Sequence, residues 1–498
     1  MINHNILHHT FEIDALVRGT IETIVQNNSL RVYNTLTRSK EIFKSITPGK
    51  VLMYSCGPTV YSDAHIGNLR SYIFPDILKK LLGKIGYKDI QHIINITDVG
   101  HLTDDANDGK DKMELSAHNK GETVWEISER YTEKYLNDIK RLGIEFPLKF
   151  TKATDYIEAQ IDMVKGLEER GFTYKTEDGI YFDTSKFETY GDFAKLDIHN
   201  LREGERIDFG DKQNKTDFAL WKFSPQNEKR QMEWESPWGI GFPGWHIECS
   251  AMIWKALGSH IDIHTGGTDH ISVHHTNEIA QATCFHGEKP VNYWMHGEFL
   301  VLNENKKIGK SEGNAITLDS LIEKGFSPIA YRYLVLTAHY RNFLNFSYES
   351  LGQAEKAYKN LKDIIYRIYN TSPQVQGISE KAKHYISRII SPLLDDLNTA
   401  NTLTEIRSLI VDNTISDYEK LAIVSFFDEI LGLNLFDFSE IRNGKIHEIS
   451  NDIRKLSEKR WDLKKEGKFQ EADNIRKEIE KSGYILLDFK DSYEIRKR

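Results

Sequence analysis

Residues 51–58 read VLMYSCGP, and this stretch decides the fold. Its four leading apolar residues run into a glycine and a proline, which predicts a buried strand followed by a turn. Residues 69–82 carry apolar side chains at helical spacing, and Pro75 within them is expected to kink the helix or delay its start. Residues 90–99 (IQHIINITDV) predict the next buried strand. Strand, helix and strand in this order form a βαβ unit, so we expect an α/β fold with a parallel sheet.

Downstream of this unit, helical and extended patterns alternate before the chain becomes mostly helical. Helices are predicted at residues 131–142 and 156–170, and a strand is predicted at 179–183. Residues 202–238 are polar and carry several Gly, Pro and Trp residues, which predicts an irregular insertion. From Glu349 onward, apolar residues recur on one face of a 3.6-residue period. This periodicity predicts a helical bundle, followed by a small mixed tail.

The composition excludes several classes of protein. The chain has 498 residues, a hydrophobic fraction of 39% and a net charge of −9, so the total charge does not indicate nucleic-acid binding, although a local basic face stays possible. Three widely spaced cysteines argue against a disulfide framework and fit a reducing cytosol. No apolar run approaches the ~20 residues of a membrane helix. Residues 1–28 lack the central apolar stretch of a signal peptide and are set aside as an extension of unknown role.

Two short motifs have chemistry that suits a phosphate ligand. Residues 65–68 (HIGN) lie between the first strand and the first helix, where glycine lets the backbone approach a phosphate and the helix N-terminus offers free N–H groups. Residues 307–311 (KIGKS) place two lysines three apart on a glycine-containing loop, a pattern suited to holding a triphosphate. Taken singly, the first motif leaves a turn histidine open as an alternative, and the second leaves an exposed basic loop.

Together, the two motifs resemble the paired HIGH-like and KMSKS-like signatures of class I aminoacyl-tRNA synthetases. Three further blocks narrow the resemblance to the cysteinyl-tRNA synthetases, namely residues 54–61 (YSCGPTVY), 244–252 (GWHIECSAM) and 274–281 (HHTNEIAQ). The resemblance runs in order from about residue 30 to the C-terminus.

The resemblance implies a Rossmann-like catalytic domain that is split by an insertion and followed by an α-helical bundle and a small mixed C-terminal domain. The expected divisions are an N-terminal extension at 1–28, the first half of the catalytic domain at 29–145, a connective insertion at 146–243, the second half at 244–315, a stem-contact region at 316–346, the bundle at 347–440 and an anticodon-binding domain at 441–498.

Cys56, Cys249, His274 and Glu278 supply two thiolates, an imidazole and a carboxylate, which are all zinc ligand types. His274 and Glu278 are four residues apart, so on a helix they point the same way. The resemblance, and not the spacing, joins the four residues into one Zn²⁺ site per chain. His275 is the competing imidazole, and the family pattern favours His274.

A metal suits the chemistry that the resemblance implies, the ATP-dependent ligation of L-cysteine to tRNA(Cys) through a cysteinyl-adenylate. Cysteine and serine differ by one atom, and a cavity gains only ~1–3 kcal/mol from a methylene-sized difference. A zinc ion with room for a soft ligand binds the substrate thiolate directly and favours its deprotonation. The resemblance therefore implies Zn²⁺ as cofactor and ATP with Mg²⁺ as substrate.

The resemblance also assigns roles to further residues. Gly266 and Gly267 follow an apolar run, where glycines let a nucleotide approach the backbone closely. A plain turn is the alternative for these two residues. The expected site residues are His65, Asn68, Lys307 and Lys310 for catalysis; Pro58, His65, Gly67, Asn68, Gly266, Gly267, Asp269, Lys307 and Lys310 for ATP; Thr97 and Trp245 for cysteine; and Phe469, Asp473 and Asp488 for the anticodon.

Two alternatives remain at this point. One is a cysteine ligase that transfers the same adenylate to an amino-sugar, as in mycothiol synthesis, and residues 468–488 argue against it because they resemble the anticodon domain. The other is a catalytically inactive RNA-binding paralogue, and the complete set of metal ligands and loop lysines argues against that. The expected partners are tRNA(Cys), L-cysteine and ATP, with no membrane. The family implies a monomer, and we expect a cytoplasmic enzyme.

Overall fold

The computed structural model describes residues 4–100, 112–196, 212–225, 230–302, 306–307, 315–371, 377–438, 451–488 and 493–497. The strands in these residues are β1 (Arg31–Asn34), β2 (Ser39–Ile42), β3 (Lys50–Ser55), β4 (Asp89–Ile96), β5 (Lys149–Lys152), β6 (Thr173–Lys175), β7 (Gly179–Phe182), β8 (Phe218–Phe223), β9 (Gly241–Pro243), β10 (Ile261–Gly267), β11 (Val291–Gly297), β12 (Leu300–Leu302), β13 (Lys306–Lys307), β14 (Leu344–Asn345), β15 (Tyr484–Asp488) and β16 (Tyr493–Lys497).

The helices of the same residues are α1 (His4–Asn27), α2 (Ile66–Ser71), α3 (Ile73–Lys84), α4 (Lys112–Lys120), α5 (Val124–Arg141), α6 (Ile157–Glu169), α7 (Trp245–Leu257), α8 (His274–His286), α9 (Leu318–Glu323), α10 (Pro328–Leu336), α11 (Tyr348–Thr371), α12 (Glu380–Leu394), α13 (Thr399–Val411), α14 (Asp417–Leu431), α15 (Asn451–Lys465) and α16 (Phe469–Lys481). No helix of the described ranges is long and apolar enough to cross a membrane.

The central sheet has five parallel strands in the order β11-β10-β3-β4-β5. β3 and β4 are joined by α2 and α3, so the predicted βαβ unit and parallel sheet are confirmed. The strand order reverses at β3, which has the later strand β10 on one side and β4 on the other. In open α/β sheets, ligands bind beyond the carboxyl ends of the strands at such a reversal. The fold therefore directs attention to the residues that follow β3 and β10.

The predicted helix at 69–82 is two helices, and Pro75 accounts for the break. α2 ends at Ser71 and α3 begins at Ile73, with Tyr72 between them. Pro75 lies in the first turn of α3, where its missing N–H removes no intrahelical bond. The proline therefore delays the start of a new helix.

The segment predicted to be an irregular insertion contains a buried strand, so that prediction is wrong for residues 218–223. β8 is the third strand of an antiparallel sheet in the order β6-β7-β8-β9, and Trp221 on it is fully buried. Its sequence, FALWKF, shows little alternation of polar and apolar residues, and the polar flanks conceal it. Strand β5, just after residue 146, pairs with β4 in the parallel sheet.

The N-terminal extension forms part of the fold. α1 packs against α12 and α14 of the helical bundle formed by α11 to α14. Val17 and Ile21 on α1 are fully buried within the main hydrophobic core. Burial of each such side chain contributes about 1.5–3 kcal/mol. Setting aside residues 1–28 therefore leaves out a helix that covers one side of the bundle.

Candidate active site

The four predicted metal ligands meet in the fold. Cys56 follows β3, Cys249 lies in α7, and His274 and Glu278 lie in the first turns of α8. Each residue is buried and offers one ligand atom, and these atoms all lie within 4.8 Å of one another. The group thus gathers two sulfur atoms, one nitrogen and one oxygen at the point where the strand order reverses, and these are donors that Zn²⁺ accepts in proteins.

Backbone contacts of neighbouring strands fix the position of Cys56. Its N–H donates to the Thr265 carbonyl at 3.0 Å, and the Gly57 N–H donates to Asn95 Oδ1 at 2.7 Å. A Cβ at Gly57 would lie 1.6 Å from the Asn95 carbonyl oxygen, so no larger residue fits there without a backbone shift. Glycine at this position lets β3 and β4 approach closely and sets the direction of the thiol.

The insertion holds the start of α7, the helix that carries Cys249. The Gly244 N–H donates to the Leu220 carbonyl at 3.0 Å, and a Cβ at Gly244 would lie 2.0 Å from the Ala219 carbonyl oxygen. The ring of Phe218 makes an edge contact with His246 at 5.5 Å between centroids. His246 Nδ1 lies 3.0 Å from His274 Nδ1. Strand β8 therefore borders the metal-ligand group.

Burial and mutual contacts set the charges of the group. Burial raises the pKa of the Glu278 carboxyl, but His264 and His274 outweigh this and hold that pKa well below its ordinary value. Burial lowers the pKa of His274, but Glu278 and Cys249 raise it to about 10. The hydrogen bond from Cys56 lowers the pKa of Cys249 to about 6, while burial raises the pKa of the Cys56 thiol. A cation that binds here would displace the protons on His274 and Cys56.

A second set of possible ligands overlaps the first. Cys56, His264, His275 and Glu278 also offer atoms within 4.8 Å of one another. His275, however, is engaged at both ring nitrogens, with Cys56 Sγ 3.2 Å from Nε2 and His296 Nε2 2.7 Å from Nδ1. His274 is likewise engaged at both ring nitrogens, with Glu278 Oε1 2.7 Å from Nε2 and His246 Nδ1 3.0 Å from Nδ1, so the two sets are equivalent by this criterion and share Cys56 and Glu278.

The sequence reasoning missed three buried histidines of this site: His246, His264 and His296. His264 Nε2 lies 2.8 Å from Glu278 Oε2, and His296 Nδ1 lies 2.7 Å from Thr35 Oγ1. These two histidines lie on neighbouring strands, His264 in the middle of β10 and His296 near the carboxyl end of β11, a pairing that residue periodicity alone does not reveal. Partners of this kind orient metal ligands and tune their affinity.

The HIGN motif at residues 65–68 caps helix α2. Asn68 N donates to His65 Nδ1 at 3.1 Å, and His65 N donates to Asn68 Oδ1 at 3.3 Å, which is a capping box. Ile66 N donates to the Ile316 carbonyl at 2.8 Å, and His65 forms a β-bridge with Thr317. The chain that follows the lysine loop thus lies directly against the start of α2.

The structure describes only part of the lysine loop. Lys307 lies in β13, which pairs with β12, and Lys310 lies outside the described residues. Gly266 and Gly267 end β10, and Asp269 lies on the short 3₁₀ turn Thr268–His270 that follows. A Cβ at Gly266 would lie 2.6 Å from the His275 ring, so this glycine also makes room for the histidines.

Pro58 and Thr97 are joined through their backbones, and Trp245 packs against His274. Thr97 N donates to the Pro58 carbonyl at 3.0 Å, and Thr97 Oγ1 accepts from Asn95 Nδ2 at 3.0 Å. Trp245 is the first residue of α7, and its ring centroid lies 4.5 Å from that of His274. The two residues expected to line the cysteine pocket therefore adjoin Pro58 on one side and a metal ligand on the other.

Comparisons with known proteins identify the family of this chain. Residues 42–356 match the family model described as the tRNA synthetases class I (C) catalytic domain. The chain is 44% identical over 459 residues to cysteine–tRNA ligase 1 of Burkholderia lata, covering 92% of this chain and 95% of that protein. It is 43% identical over 483 residues to the cysteine–tRNA ligase of Treponema denticola, covering 92% and 98%. The chain belongs to the cysteine–tRNA ligase family.

Solved structures show the same fold at low identity. A Mycobacterium tuberculosis methionyl-tRNA synthetase in complex with methionyl-adenylate aligns with a TM-score of 0.53 at 10% identity, covering 81% of this chain and 94% of that one. The ternary LeuRS–tRNA–LeuAMS complex of Agrobacterium radiobacter K84 aligns with a TM-score of 0.57 at 10% identity, covering 80% and 86%. This member of the cysteine–tRNA ligase family thus has the Rossmann-like fold that the sequence predicts, and the family model above makes it a class I aminoacyl-tRNA synthetase.

The C-terminal segment of this family member forms a small unit of its own. Helices α15 and α16 pack together, and β15 and β16 pair antiparallel beside them. Phe469, the first residue of α16, is 62% exposed, and Asp473 is also exposed. Asp488 instead pairs with Arg460 and with Lys464. Phe469 and Asp473 therefore face solvent, whereas Asp488 ties β15 to α15.

Proposed function

We propose that this protein ligates L-cysteine to tRNA(Cys) through a cysteinyl-adenylate, and that Zn²⁺ held by Cys56, Cys249, His274 and Glu278 selects the amino acid. The observation that carries the proposal is the convergence of these four ligand atoms within 4.8 Å, beside Trp245 and at the ligand-binding end of the sheet. Zinc bound there supplies a soft Lewis acid that accepts a thiolate and discriminates against a hydroxyl.

The remaining steps belong to residues of the chain. A carboxylate oxygen of cysteine forms a bond to the α-phosphorus of MgATP, and the bond to the bridging oxygen breaks as pyrophosphate leaves with the electron pair. His65, the N-terminus of α2, Lys307 and Lys310 stabilise the charge on the phosphates, and Asn68 keeps His65 in place through the capping box. The terminal ribose hydroxyl of tRNA then attacks the adenylate carbonyl, and AMP leaves.

We assign the nucleotide to the carboxyl end of β10 and the start of α2. Gly67 gives the phosphates access to the first turn of α2, whereas Gly266 and Gly267 admit the adenosine and Asp269 binds a ribose hydroxyl. Pro58 borders this space through its bond with Thr97. The exposed side chains of Phe469 and Asp473 would contact the anticodon. The domain divisions are those given above, except that the insertion starts after β5.

A tRNA acceptor is favoured over an amino-sugar, because the chain has the folded C-terminal unit and covers almost the whole length of its tRNA-ligase relatives. The complete metal-ligand group also disfavours an inactive RNA-binding paralogue. We further propose a monomer in the cytoplasm, where three buried free cysteines are compatible with reducing conditions.

The test is charging of total tRNA with radiolabelled cysteine and ATP, with serine as competitor. Cys56→Ser is the test variant, and Cys284→Ser is its matched control, since Cys284 is also buried but lies outside the ligand group. We expect cysteine-specific charging that is lost, together with bound zinc, in the Cys56 variant and kept in the control. Pyrophosphate exchange without labelled tRNA would show that the acceptor is wrong, and a Cys56 variant that keeps zinc and discrimination would refute the metal site.

A further inference from the structure

Arg70, in the last turn of α2, binds backbone carbonyls from two distant segments. Its side chain is buried, and Nη1 donates to the Phe299 carbonyl. Nη2 donates to the Asn342 carbonyl at 2.5 Å and lies 3.5 Å from the His339 carbonyl. A buried guanidinium that is satisfied by carbonyls holds those segments at fixed positions, because a lost partner would leave a buried charge unsatisfied.

The contact with Phe299 ties α2 to the lysine loop. Phe299 immediately precedes β12, and β12 pairs antiparallel with β13. In this pairing, Val301 of β12 lies opposite Lys307 of β13. Arg70 therefore links the helix that starts at the HIGN motif to the strand from which the lysine loop departs. Arg70 thus connects the two elements that carry the signature motifs.

Residues 339–342, which we name the carbonyl loop, are held in turn by a carboxylate of the helical bundle. Asp396 Oδ1 accepts from Tyr340 Oη at 2.7 Å and from Tyr33 N at 2.9 Å. Asp396 Oδ2 accepts from Arg341 Nε at 2.8 Å and lies 2.7 Å from Arg341 Nη2. Asp396 is fully buried, each of its oxygens accepts from these donors, and the His339 Nε2 atom lies 3.6 Å from Oδ2.

A second contact runs through the ring of Tyr340. The ring stacks on Phe74 in the first turn of α3, with 4.7 Å between centroids and 18° between planes. The Tyr340 carbonyl also accepts from the N–H of Glu298 at 2.8 Å, next to the Phe299 that Arg70 binds. The carbonyl loop thus also contacts α3, which follows α2, and the chain just before β12.

The backbone at Asp396 is held in an uncommon conformation. Asp396 and Leu397 have φ values of +67° and +58°, in the left-handed region that non-glycine residues rarely adopt. Asp396 N donates to the Arg31 carbonyl at 2.9 Å. Conformations of this kind persist where the surroundings over-determine them, and here they direct the carboxylate away from the bundle and towards the carbonyl loop.

From these contacts we infer that Asp396 is a positioning residue for adenylate formation, which acts through the carbonyl loop and Arg70 on the HIGN helix and the lysine-bearing strand. The inference rests on the proposed roles of the two signature motifs. It makes the bundle, which lies next to the anticodon-binding unit in the chain, a structural support of the ATP site. The contacts used are the Asp396 carboxylate to the carbonyl loop, the loop carbonyls to Arg70, and Arg70 on α2 to the Phe299 carbonyl that precedes β12.

The test variant is Asp396→Asn, which keeps the size of the side chain but replaces one acceptor oxygen with a donor. The matched control is Asp395→Asn, since Asp395 is the adjacent residue, its side chain is 55% exposed, and it pairs with Lys40 at 2.8 Å on the surface. We expect the Asp396 variant to lower kcat for cysteine-dependent pyrophosphate exchange by ~10- to 100-fold, the effect of displacing catalytic groups by about 1 Å. Its KM for cysteine and its zinc content should stay at the wild-type values, and the control should match the wild type throughout.

Two further measurements keep the inference open to refutation. Tyr340→Phe removes one donor and keeps the ring stack, so it should fold and show a smaller fall in the same kcat. Arg70→Lys combined with Asp396→Asn should lower kcat by less than the product of the single effects, because both act on one connection. A folded Asp396 variant with wild-type kcat, or one that loses zinc and cysteine affinity in parallel with kcat, would overturn the inference.

Hydrogen exchange separates this inference from the proposed function. The amides of α2 and β12 should exchange faster in the Asp396 variant than in the Asp395 variant, whatever reaction the wild type catalyses. Unchanged exchange in those two segments would refute the connection. Absence of cysteine-dependent pyrophosphate exchange in the wild type would instead refute the proposed function.

Discussion

Replacing Gly57 with alanine should disrupt the metal site without removing a ligand. The added carbon would lie 1.6 Å from the Asn95 carbonyl oxygen, whereas ordinary contact begins at 3.4 Å, so the backbone after Cys56 must move away from β4. That movement breaks the hydrogen bond from Gly57 N to Asn95 Oδ1 and strains the bond from Cys56 N to Thr265. The broken bond leaves a buried polar group unsatisfied, which costs about 1–3 kcal/mol. Metal sites tolerate only ~0.2 Å in ligand distance, so we expect zinc affinity to fall by roughly two orders of magnitude.

The assay is zinc affinity by chelator competition, with thermal unfolding measured in parallel. Gly83→Ala is the matched control, because its added carbon would meet only Ile90 Cδ1 at 3.8 Å and Gly83 lies inside α3. Alanine in a helix interior is better than glycine by about 0.5–1 kcal/mol, so the control should be slightly more stable than the wild type. Wild-type zinc affinity and stability in the Gly57 variant would refute the argument that close strand approach sets the thiol.

Three other substitutions separate metal, phosphate and packing roles. His264→Ala should lower zinc affinity ~10- to 100-fold, because His264 orients Glu278. Chelator competition measures this affinity, and an unchanged value would contradict the prediction. Lys310→Ala should reduce adenylate formation, measured by pyrophosphate exchange, far more than cysteine binding; an equal loss of both would contradict its role. Ile21→Ala should destabilise the contact of α1 with the bundle by about 2–5 kcal/mol and leave pyrophosphate exchange intact, as hydrogen exchange of α12 and α14 would report.

Sequence patterns predicted the elements that depend only on residues close together in the chain. The run at residues 51–54 became β3, and Pro75 marked the first turn of α3, because burial of a strand and the missing N–H of proline act over a few residues. Strand β8 was missed, since both of its faces are covered and its sequence lacks the alternation that reveals a half-buried strand. Helix α1 was set aside because its partners, α12 and α14, lie hundreds of residues away.

The site was predictable only in part for the same reason. His274 and Glu278 share one face of α8, so their spacing brought them together. Cys56 and Cys249 come from β3 and α7, and only the family resemblance placed them in the same group. The buried imidazoles of His264 and His296 went unnoticed, because a single histidine in a strand gives no indication of which neighbour it will meet.

The close contact between β8 and the start of α7 has a consequence for protein engineering. Gly244 packs against the backbone of Ala219 so tightly that no side chain fits, and β8 also reaches His246 through Phe218. A shortened enzyme in which a linker replaces the insertion would lose β8, and with it the contacts that hold the start of the helix carrying Cys249. A chimera between two relatives must therefore exchange β8 and α7 as one block, with both crossover points placed outside them.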